Sequence, residues 1–295
     1  MAEIKPVKIT DTIYHIYESC GVYCTLVLGT KAALLIDTGY GFGDILNKVR
    51  DITDLPLKVI NTHGHVDHIQ GNKYFDSVMI HENDRHLARF HSSLLVKYLV
   101  YKNLKNNLTD EEKKNVPKFF KPNKQKLVYI HEGCKIDLGN RVLEVLYTPG
   151  HTKGSICILD TKDRILFTGD TLSSHVWLFL RESTSVPTYI ESISRIAERK
   201  SEFDKILSAH SAAVFKATLI EKMLHCARHI SPAQSTEYIG PAGRKGLLYA
   251  EGFEKIQKKY GFKTVEEFLQ HGSEVSLIDL EKFEFTSIVY DKDRI

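Results

Sequence analysis

Histidines and one aspartate are concentrated in a short segment after an apolar strand end. Residues 61–68 read Asn-Thr-His-Gly-His-Val-Asp-His, which places three imidazoles and a carboxylate within six residues. On an extended loop His63 and His65 can converge on one ion, while Asp67 and His68 can turn toward a second. Imidazole is the commonest protein ligand for zinc-like ions. The segment therefore predicts a metal site with room for two ions.

Four more residues with ligating side chains each follow an apolar run, and they are Asp37, His151, Asp170 and His210. Taken singly, a histidine or aspartate at such a place can cap a helix, serve a turn or lie buried in a hydrogen bond. In α/β proteins the ends of strands are where reactive residues usually lie. Their order after the histidine cluster favours one shared site.

The elements that must position these residues form two strand-rich halves, divided near residue 130. Alternating or continuous apolar runs predict strands at 13–17, 22–28, 32–36, 57–61, 78–80, 127–131, 135–138, 142–147, 155–159, 164–167 and 205–208. Helical spacing predicts helices at 44–50, 189–199 and 213–229. The pattern indicates an α/β protein with two packed sheets and helices on the outside.

A helical insertion is predicted at about 83–126, where apolar residues at 87, 90, 94, 95, 98 and 99 share one face. Thr109 and Glu112 have the spacing of a capping box. The insertion is either a plain connecting helix pair or a lid. As a lid it would offer Phe90, Tyr98 and Tyr101 as aromatic walls for a substrate.

The last part of the chain, 231–295, is predicted as a C-terminal helical extension that ends in a strand. A loop at 231–246, helices at 247–260 and 265–271, and a strand at 285–290 make up this part. Residues 1–230 would then form the catalytic domain.

The ordered set of ligating residues resembles the signature of the metallo-β-lactamase-fold superfamily. The match consists of His63, His65, Asp67, His68, His151, Asp170 and His210, with the flanking segments 148–152 (Thr-Pro-Gly-His-Thr) and 168–171 (Thr-Gly-Asp-Thr). It covers about residues 8–230 and is most similar to the glyoxalase II-like and lactonase-like branch. The resemblance implies a four-layered αββα sandwich with the site at one edge of the two sheets.

The resemblance also assigns roles to these residues. The first ion would be held by His63, His65 and His151, and the second by Asp67, His68 and His210. Asp170 would bridge both ions, and Asp37 would orient a ligand histidine from behind. Two divalent ions are implied, with zinc expected first and iron or manganese also allowed.

The implied reaction is hydrolysis of an acyl bond. A hydroxide bridging the two ions would attack the carbonyl of a thioester, ester or lactone. Asp67 and Asp170 are the candidate catalytic carboxylates, and Asp67 could pass a proton. The fold alone does not choose the substrate, but lactamases of the family usually have Cys or Ser at the position of Asp170, which argues against antibiotic hydrolysis.

Two other reactions stay open. A phosphodiesterase would use both ions to attack phosphorus, and a persulfide dioxygenase would hold one iron with His63, His151 and Asp170.

The segment 171–181 differs from the small, Gly-rich loop of glyoxalase II. Its His175, Trp177 and Phe179 are candidate substrate contacts, or else plain core.

Two basic residues of the tail are further candidates for substrate contact. Arg244 and Lys245 lie between glycines and could meet an anionic substrate group, or else form a solvated surface pair.

Composition limits the partners and the compartment. The 295 residues are 42% hydrophobic with a formal charge of +3, so no nucleic-acid partner is expected. Neither a secretory signal nor a run of about 18 apolar residues is visible, so a membrane span is not expected. Five scattered cysteines suit a reduced, cytoplasmic protein. We expect a small-molecule substrate and leave homo-oligomerisation open.

Overall fold

Strands and helices alternate along the chain in the computed structural model, which describes residues 6–240, 243–271 and 284–295. The strands are β1 (Val7–Thr10), β2 (Ile13–Ser19), β3 (Val22–Leu28), β4 (Ala33–Ile36), β5 (Leu57–Ile60), β6 (Ser77–His81), β7 (Lys126–Ile130), β8 (Lys135–Asp137), β9 (Val142–Tyr147), β10 (Ile156–Asp160), β11 (Ile165–Gly169), β12 (His175–Leu178), β13 (Lys205–Ser208), β14 (Val214–Lys216), β15 (Thr236–Ile239), β16 (Lys245–Glu251) and β17 (Thr286–Tyr290). The α-helices are α1 (Ile45–Arg50), α2 (Val66–Ile69), α3 (Arg85–His91), α4 (Leu94–Leu104), α5 (Asp110–Lys114), α6 (Val116–Phe119), α7 (Val186–Glu198), α8 (Leu219–Arg228), α9 (Phe253–Tyr260) and α10 (Val265–His271).

Two sheets face each other across an apolar core. Sheet 1 has the order β1-β2-β3-β4-β5-β6-β7, and sheet 2 has the order β14-β13-β11-β10-β9-β8. Helix α1 packs on the outer face of sheet 1, and α7 and α8 pack on the outer face of sheet 2. The predicted αββα sandwich is confirmed.

Strand β10 shows why the sequence requires these layers. Ile156 and Ile158 face the core between the sheets, while Cys157 and Leu159 face the helices on the other side. All four side chains are buried, because successive residues of a strand point to opposite faces. A strand that is apolar on both faces must be covered on both.

A third sheet, with the order β12-β17-β16-β15, lies beside α7 and α8. Two of its strands correct predictions, because β15 lies in the predicted loop 231–246 and β16 replaces the start of the predicted helix 247–260. In sheet 2, β14 likewise replaces the start of the predicted helix 213–229. The apolar run at 247–250 satisfies either period, and pairing with β17 decides for the strand. Positions 241 and 242 of the predicted loop lie outside the described residues. The division of the chain at residue 230 stays a prediction, and β12 and β17 pair across it.

The insertion is helical, as predicted, and contains α3 to α6. Thr109 and Glu112 form the expected capping box at the start of α5. The apolar face of the insertion is largely exposed, however, with Phe90, Leu94 and Leu95 about 60% accessible.

Within the described residues, the structure has no helix of the length and apolarity that a membrane crossing requires.

Candidate metal centre

The ligating residues singled out in the sequence come together at one edge of the two sheets. Strands β4 and β5 are parallel and deliver Asp37 and the 61–68 segment, while β11 and β13 are parallel and deliver Asp170 and His210. His151 follows β9. The carboxyl ends of parallel strands lie at the same edge of a sheet, which explains the convergence.

The seven residues form two adjacent groups, namely His63, His65 and His151, and Asp67, His68, Asp170 and His210. Within each group, one ligand atom per residue lies within 4.8 Å of the others. Asp170 lies between the groups. Its Oδ2 is 3.4 Å from His151 Nε2 and 3.1 Å from His210 Nε2, and its Oδ1 is 3.4 Å from His68 Nε2.

In the first group, the Nε2 atoms of His63 and His151 each lie 2.9 Å from His65 Nδ1. The opposite nitrogens of these rings point away from the centre, to outer acceptors. His65 Nε2 lies 2.7 Å from Glu182 Oε1, and His151 Nδ1 lies 2.8 Å from the carbonyl oxygen of Trp177. Since these acceptors require N–H donors, the lone pairs of the inner nitrogens face the centre.

Asp37 organises the second group and reaches into the first. Its Oδ2 accepts from His68 Nδ1 at 2.9 Å and from Thr62 Oγ1 at 2.8 Å, and its Oδ1 accepts from the Thr62 backbone N–H. Thr62 Oγ1 is in turn 3.1 Å from His63 Nδ1. Asp37 has a φ of 61°, an unfavourable region for a residue other than glycine, and these hydrogen bonds offset that cost.

Gly169 must be a glycine for the two sheets to meet here. It has a φ of 51°, and a Cβ at this position would lie 2.4 Å from Thr62 Oγ1. The residue before Asp170 therefore packs directly against the residue before His63, which sets the distance between the two ligand loops.

Three supporting residues were not predicted from the sequence. Asp84 accepts hydrogen bonds at 2.7 Å from the backbone N–H groups of Gly64 and Gly154, which ties together the loops that carry His65 and His151. His91 of α3 accepts from the Val66 N–H at 3.0 Å and stacks on His65. Glu182, already described, holds His65. Only Asp84, close after β6, had a position that could have suggested a role.

The two groups differ in their electrostatics. Burial lowers the pKa of His151 to about 4, so this ring is neutral near pH 7. Burial also opposes charge on His68, but the carboxylates of Asp170 and Asp67 outweigh it and raise the pKa of His68 well above its ordinary value. The same carboxylates raise the pKa of His210 to about 10. The second group thus attracts positive charge.

The donor set fits divalent ions. Buried polar atoms normally have hydrogen-bond partners, yet His68 Nε2 and Asp170 Oδ1 make no hydrogen bond within the part of the chain that the structure describes. Imidazole nitrogens balanced by carboxylates suit zinc and similar ions. The first group is all imidazole, and the second mixes imidazole with carboxylate.

The candidate substrate contacts after Asp170 are largely engaged within the protein. His175 Nδ1 pairs with Ser287 Oγ at 2.8 Å, and its Nε2 accepts from Trp177 Nε1 at 2.7 Å. Phe179 is completely buried against Leu248 and Val289. The side chain of Phe179 thus fills the core of the third sheet, which agrees with the alternative of plain core, and its role as a substrate contact stays a prediction. The partly buried Trp177 stays a candidate.

The two basic candidates of the tail have different positions. Arg244 Nε donates to the carbonyl oxygen of Phe179 at 2.6 Å, and this side chain thereby holds the segment after β12. Lys245 is exposed at the start of β16. A role in binding an anionic substrate stays a prediction for both.

Comparisons with known proteins agree with this geometry. Residues 18–210 match the family model of the metallo-beta-lactamase superfamily. The chain is 29% identical over 203 residues to the acyl-coenzyme A thioesterase MBLAC2 of Gallus gallus, covering 63% of this chain and 70% of the relative. It is 28% identical over 207 residues to the human MBLAC2, covering 63% and 71%.

Solved structures show the same fold. A metallo-beta-lactamase from Pontibacter korlensis superposes with a TM-score of 0.57 at 17% identity, covering 77% of this chain and all of that one. ETHE1 from Myxococcus xanthus superposes with a TM-score of 0.50 at 19% identity, covering 74% and 85%. The family match spans most of the chain and both ligand groups, and the chain accordingly belongs to the metallo-beta-lactamase superfamily.

Proposed function

We propose that the protein is a dinuclear metal-dependent hydrolase that cleaves acyl bonds, with thioesters as the first substrate class. The observation that carries this proposal is the pair of ligand groups that share Asp170. His63, His65 and His151 would hold one ion, and Asp67, His68 and His210 the other. Zinc is the expected metal, and iron or manganese would also suit these donors.

Divalent ions bound in these groups would supply Lewis acidity and a water of lowered pKa. The protein's own residues keep the ligand atoms free and oriented. Asp37 and Glu182 hold the outer protons of His68 and His65, so that the inner nitrogens stay available.

The open side of the site lies at the second group. The side chain of His210 is 43% exposed, whereas the three histidines of the first group are at most 8% exposed. Asp67 Oδ2 lies 3.4 Å from His210 Nε2 at this side. A substrate would enter here, where the Asp67 carboxylate can accept or return a proton.

Two observations favour a thioester among the acyl substrates. The curated relatives named above are acyl-coenzyme A thioesterases. In addition, the exposed apolar face of α3 and α4 lies next to the centre, since His91 of α3 stacks on His65 with ring centroids 5.3 Å apart. An acyl chain could lie along this face.

A substrate panel tests the reaction class. Purified protein with defined metal content is offered a thioester, a lactone and bis(p-nitrophenyl) phosphate, and oxygen uptake is followed with a persulfide. We expect turnover of the thioester with two ions per chain. Hydrolysis of the phosphodiester alone, or one iron per chain with oxygen uptake, would replace the proposal by one of the alternatives.

Asp170→Ala tests the shared ligand. We expect loss of most hydrolytic activity and of part of the bound metal, because Asp170 touches both groups. Asp204→Ala is the matched control, since Asp204 forms an exposed ion pair with Arg164. Full turnover with two bound ions in Asp170→Ala would refute the assignment.

A further inference from the structure

A second cluster of ligating side chains lies where α8 meets the third sheet. It consists of His225, His229 and Glu251, and one ligand atom from each residue lies within 4.8 Å of the others. His225 is in the last turn of α8, His229 follows the end of that helix, and Glu251 ends β16. The cluster therefore joins a helix of the sandwich to a strand of the tail.

The spacing along α8 explains how the two imidazoles meet. Residues four apart on a helix lie on the same face, and the rings of His225 and His229 are stacked with centroids 4.0 Å apart and an interplanar angle of 25°. Two histidines four residues apart on a helix are a common pair of ligands for one metal ion.

Local hydrogen bonds prepare the cluster for a cation. His229 Nδ1 donates to the carbonyl oxygen of His225 at 2.8 Å, so Nε2 is the nitrogen of this ring that carries the lone pair. His225 Nδ1 lies 2.9 and 3.1 Å from the two oxygens of Glu251. Tyr249 Oη donates to Glu251 Oε1 at 3.2 Å and fixes the carboxylate. Both rings and the carboxylate are thus held in place by the fold.

We propose that His225, His229 and Glu251 bind one divalent ion of the zinc, nickel and copper class. Two imidazoles and one carboxylate are ligands that these ions accept, and water would complete the coordination. His225 is well exposed, so the ion can exchange with solvent. Because its ligands come from α8 and β16, the bound ion stabilises the packing of the third sheet on the sandwich.

Zinc content and thermal stability of the full chain test the proposal. Wild type, His225→Gln/His229→Gln and Glu251→Gln are equilibrated with zinc, freed of unbound metal and analysed for zinc per chain. Thermal midpoints are measured with and without free zinc, and nickel is used as a second probe. His86→Gln is the matched control, because His86 is an exposed histidine on another helix.

We expect wild type and the His86 variant to hold one more zinc ion per chain than the other two variants. Only these two proteins should gain the additional thermal stabilisation by free zinc. Hydrolytic activity of all four should stay the same, which shows that the main centre is loaded and the protein folded. If the double variant does not fold, the zinc content and thermal midpoint of Glu251→Gln alone test the proposal. Equal zinc content and equal stabilisation in wild type and the cluster variants would overturn the proposal.

Discussion

At the scale of single residues, the centre depends on which nitrogen of each imidazole carries the proton. Four histidines have an outer acceptor at hydrogen-bond distance, and these acceptors are Thr62 Oγ1, Glu182 Oε1, Asp37 Oδ2 and the Trp177 carbonyl oxygen. Each acceptor fixes the ring and its tautomer before an ion arrives. Mutation of such outer partners typically lowers metal affinity by about 10- to 100-fold.

Glu182→Ala is expected to weaken metal retention by about 10- to 100-fold. The variant removes the acceptor for His65 Nε2, so the ring can rotate or carry its proton on Nδ1, the nitrogen that faces the centre. Glu182→Gln should lose less, because its amide oxygen still accepts. Competition with a chromophoric chelator measures the affinity.

Glu191→Ala is the control for this change, since Glu191 is an exposed acidic residue on α7. Equal chelator titrations for Glu182→Ala and Glu191→Ala would show that Glu182 does not act on the centre.

The ligand residues could be predicted from the sequence, but their supports could not. Each ligand follows an apolar strand or lies in the dense 61–68 segment, so order and spacing carried the information. Glu182 lies in a loop without any motif, and its role exists only because that loop folds over His65. For Phe179 the sequence left two alternatives open, since an aromatic residue near Asp170 fits a pocket wall or a core equally well.

At the scale of elements, the third sheet holds the loop that carries Glu182. Arg294 Nη1 donates to the carbonyl oxygens of Leu180 and Ser183 at 2.8 and 2.7 Å, and Arg244 Nε donates to that of Phe179. Asp291 lies near both guanidinium groups. We call Arg244, Asp291 and Arg294 the arginine clamp. It connects the end of the chain to the metal centre.

Arg294→Ala should loosen the loop 179–183 and weaken metal retention. Hydrogen bonds that involve a charged group contribute about 1.5–3 kcal/mol each, and two of them are lost here. Hydrogen exchange of the loop, with the chelator competition above, measures the effect. Lys292→Ala is the control because Lys292 is exposed beside the clamp. Unchanged exchange in Arg294→Ala would rule out the clamp as a support.

The third sheet shows where pattern reading fails for elements. The run 247–250 is apolar at every position and fits a helix or a buried strand. Its strand conformation depends on β17, and β17 pairs in turn with β12, which lies more than a hundred positions earlier. No local window contains that information. The strands of sheets 1 and 2 were predictable because their apolar runs are bounded by turn residues.

At the scale of the whole molecule, the two sheets must keep a fixed relation, because each supplies ligands to both groups. His15 of β2 connects the two sheets. Its Nε2 donates to the carbonyl oxygen of Ser211 at 2.9 Å, next to His210, and its Nδ1 accepts from Thr25 Oγ1 at 2.8 Å. The neighbouring Tyr23 N–H donates to the carbonyl oxygen of Ala209 at 2.8 Å. Sheet 1 thereby holds the loop that carries a ligand of sheet 2.

The buried imidazole of His15 makes the free energy of unfolding depend on pH in a defined direction. Burial lowers the pKa of His15 from 6.5 to about 4 in the folded protein. Between these values the unfolded chain binds more protons than the folded one, so stability falls as the pH decreases through this window. From pH 7.5 to pH 5 the loss due to His15 alone is about 2 kcal/mol.

His15→Gln removes this titration, so its free energy of unfolding should fall about 2 kcal/mol less than that of wild type over the same interval. Urea unfolding of both proteins with a chelator present, at pH 7.5 and pH 5, measures the difference. The other buried histidines titrate in both proteins and cancel in the comparison. Parallel pH profiles would mean that His15 is charged in the folded state. The loop of His210 would then be held to sheet 1 by a protonated imidazole.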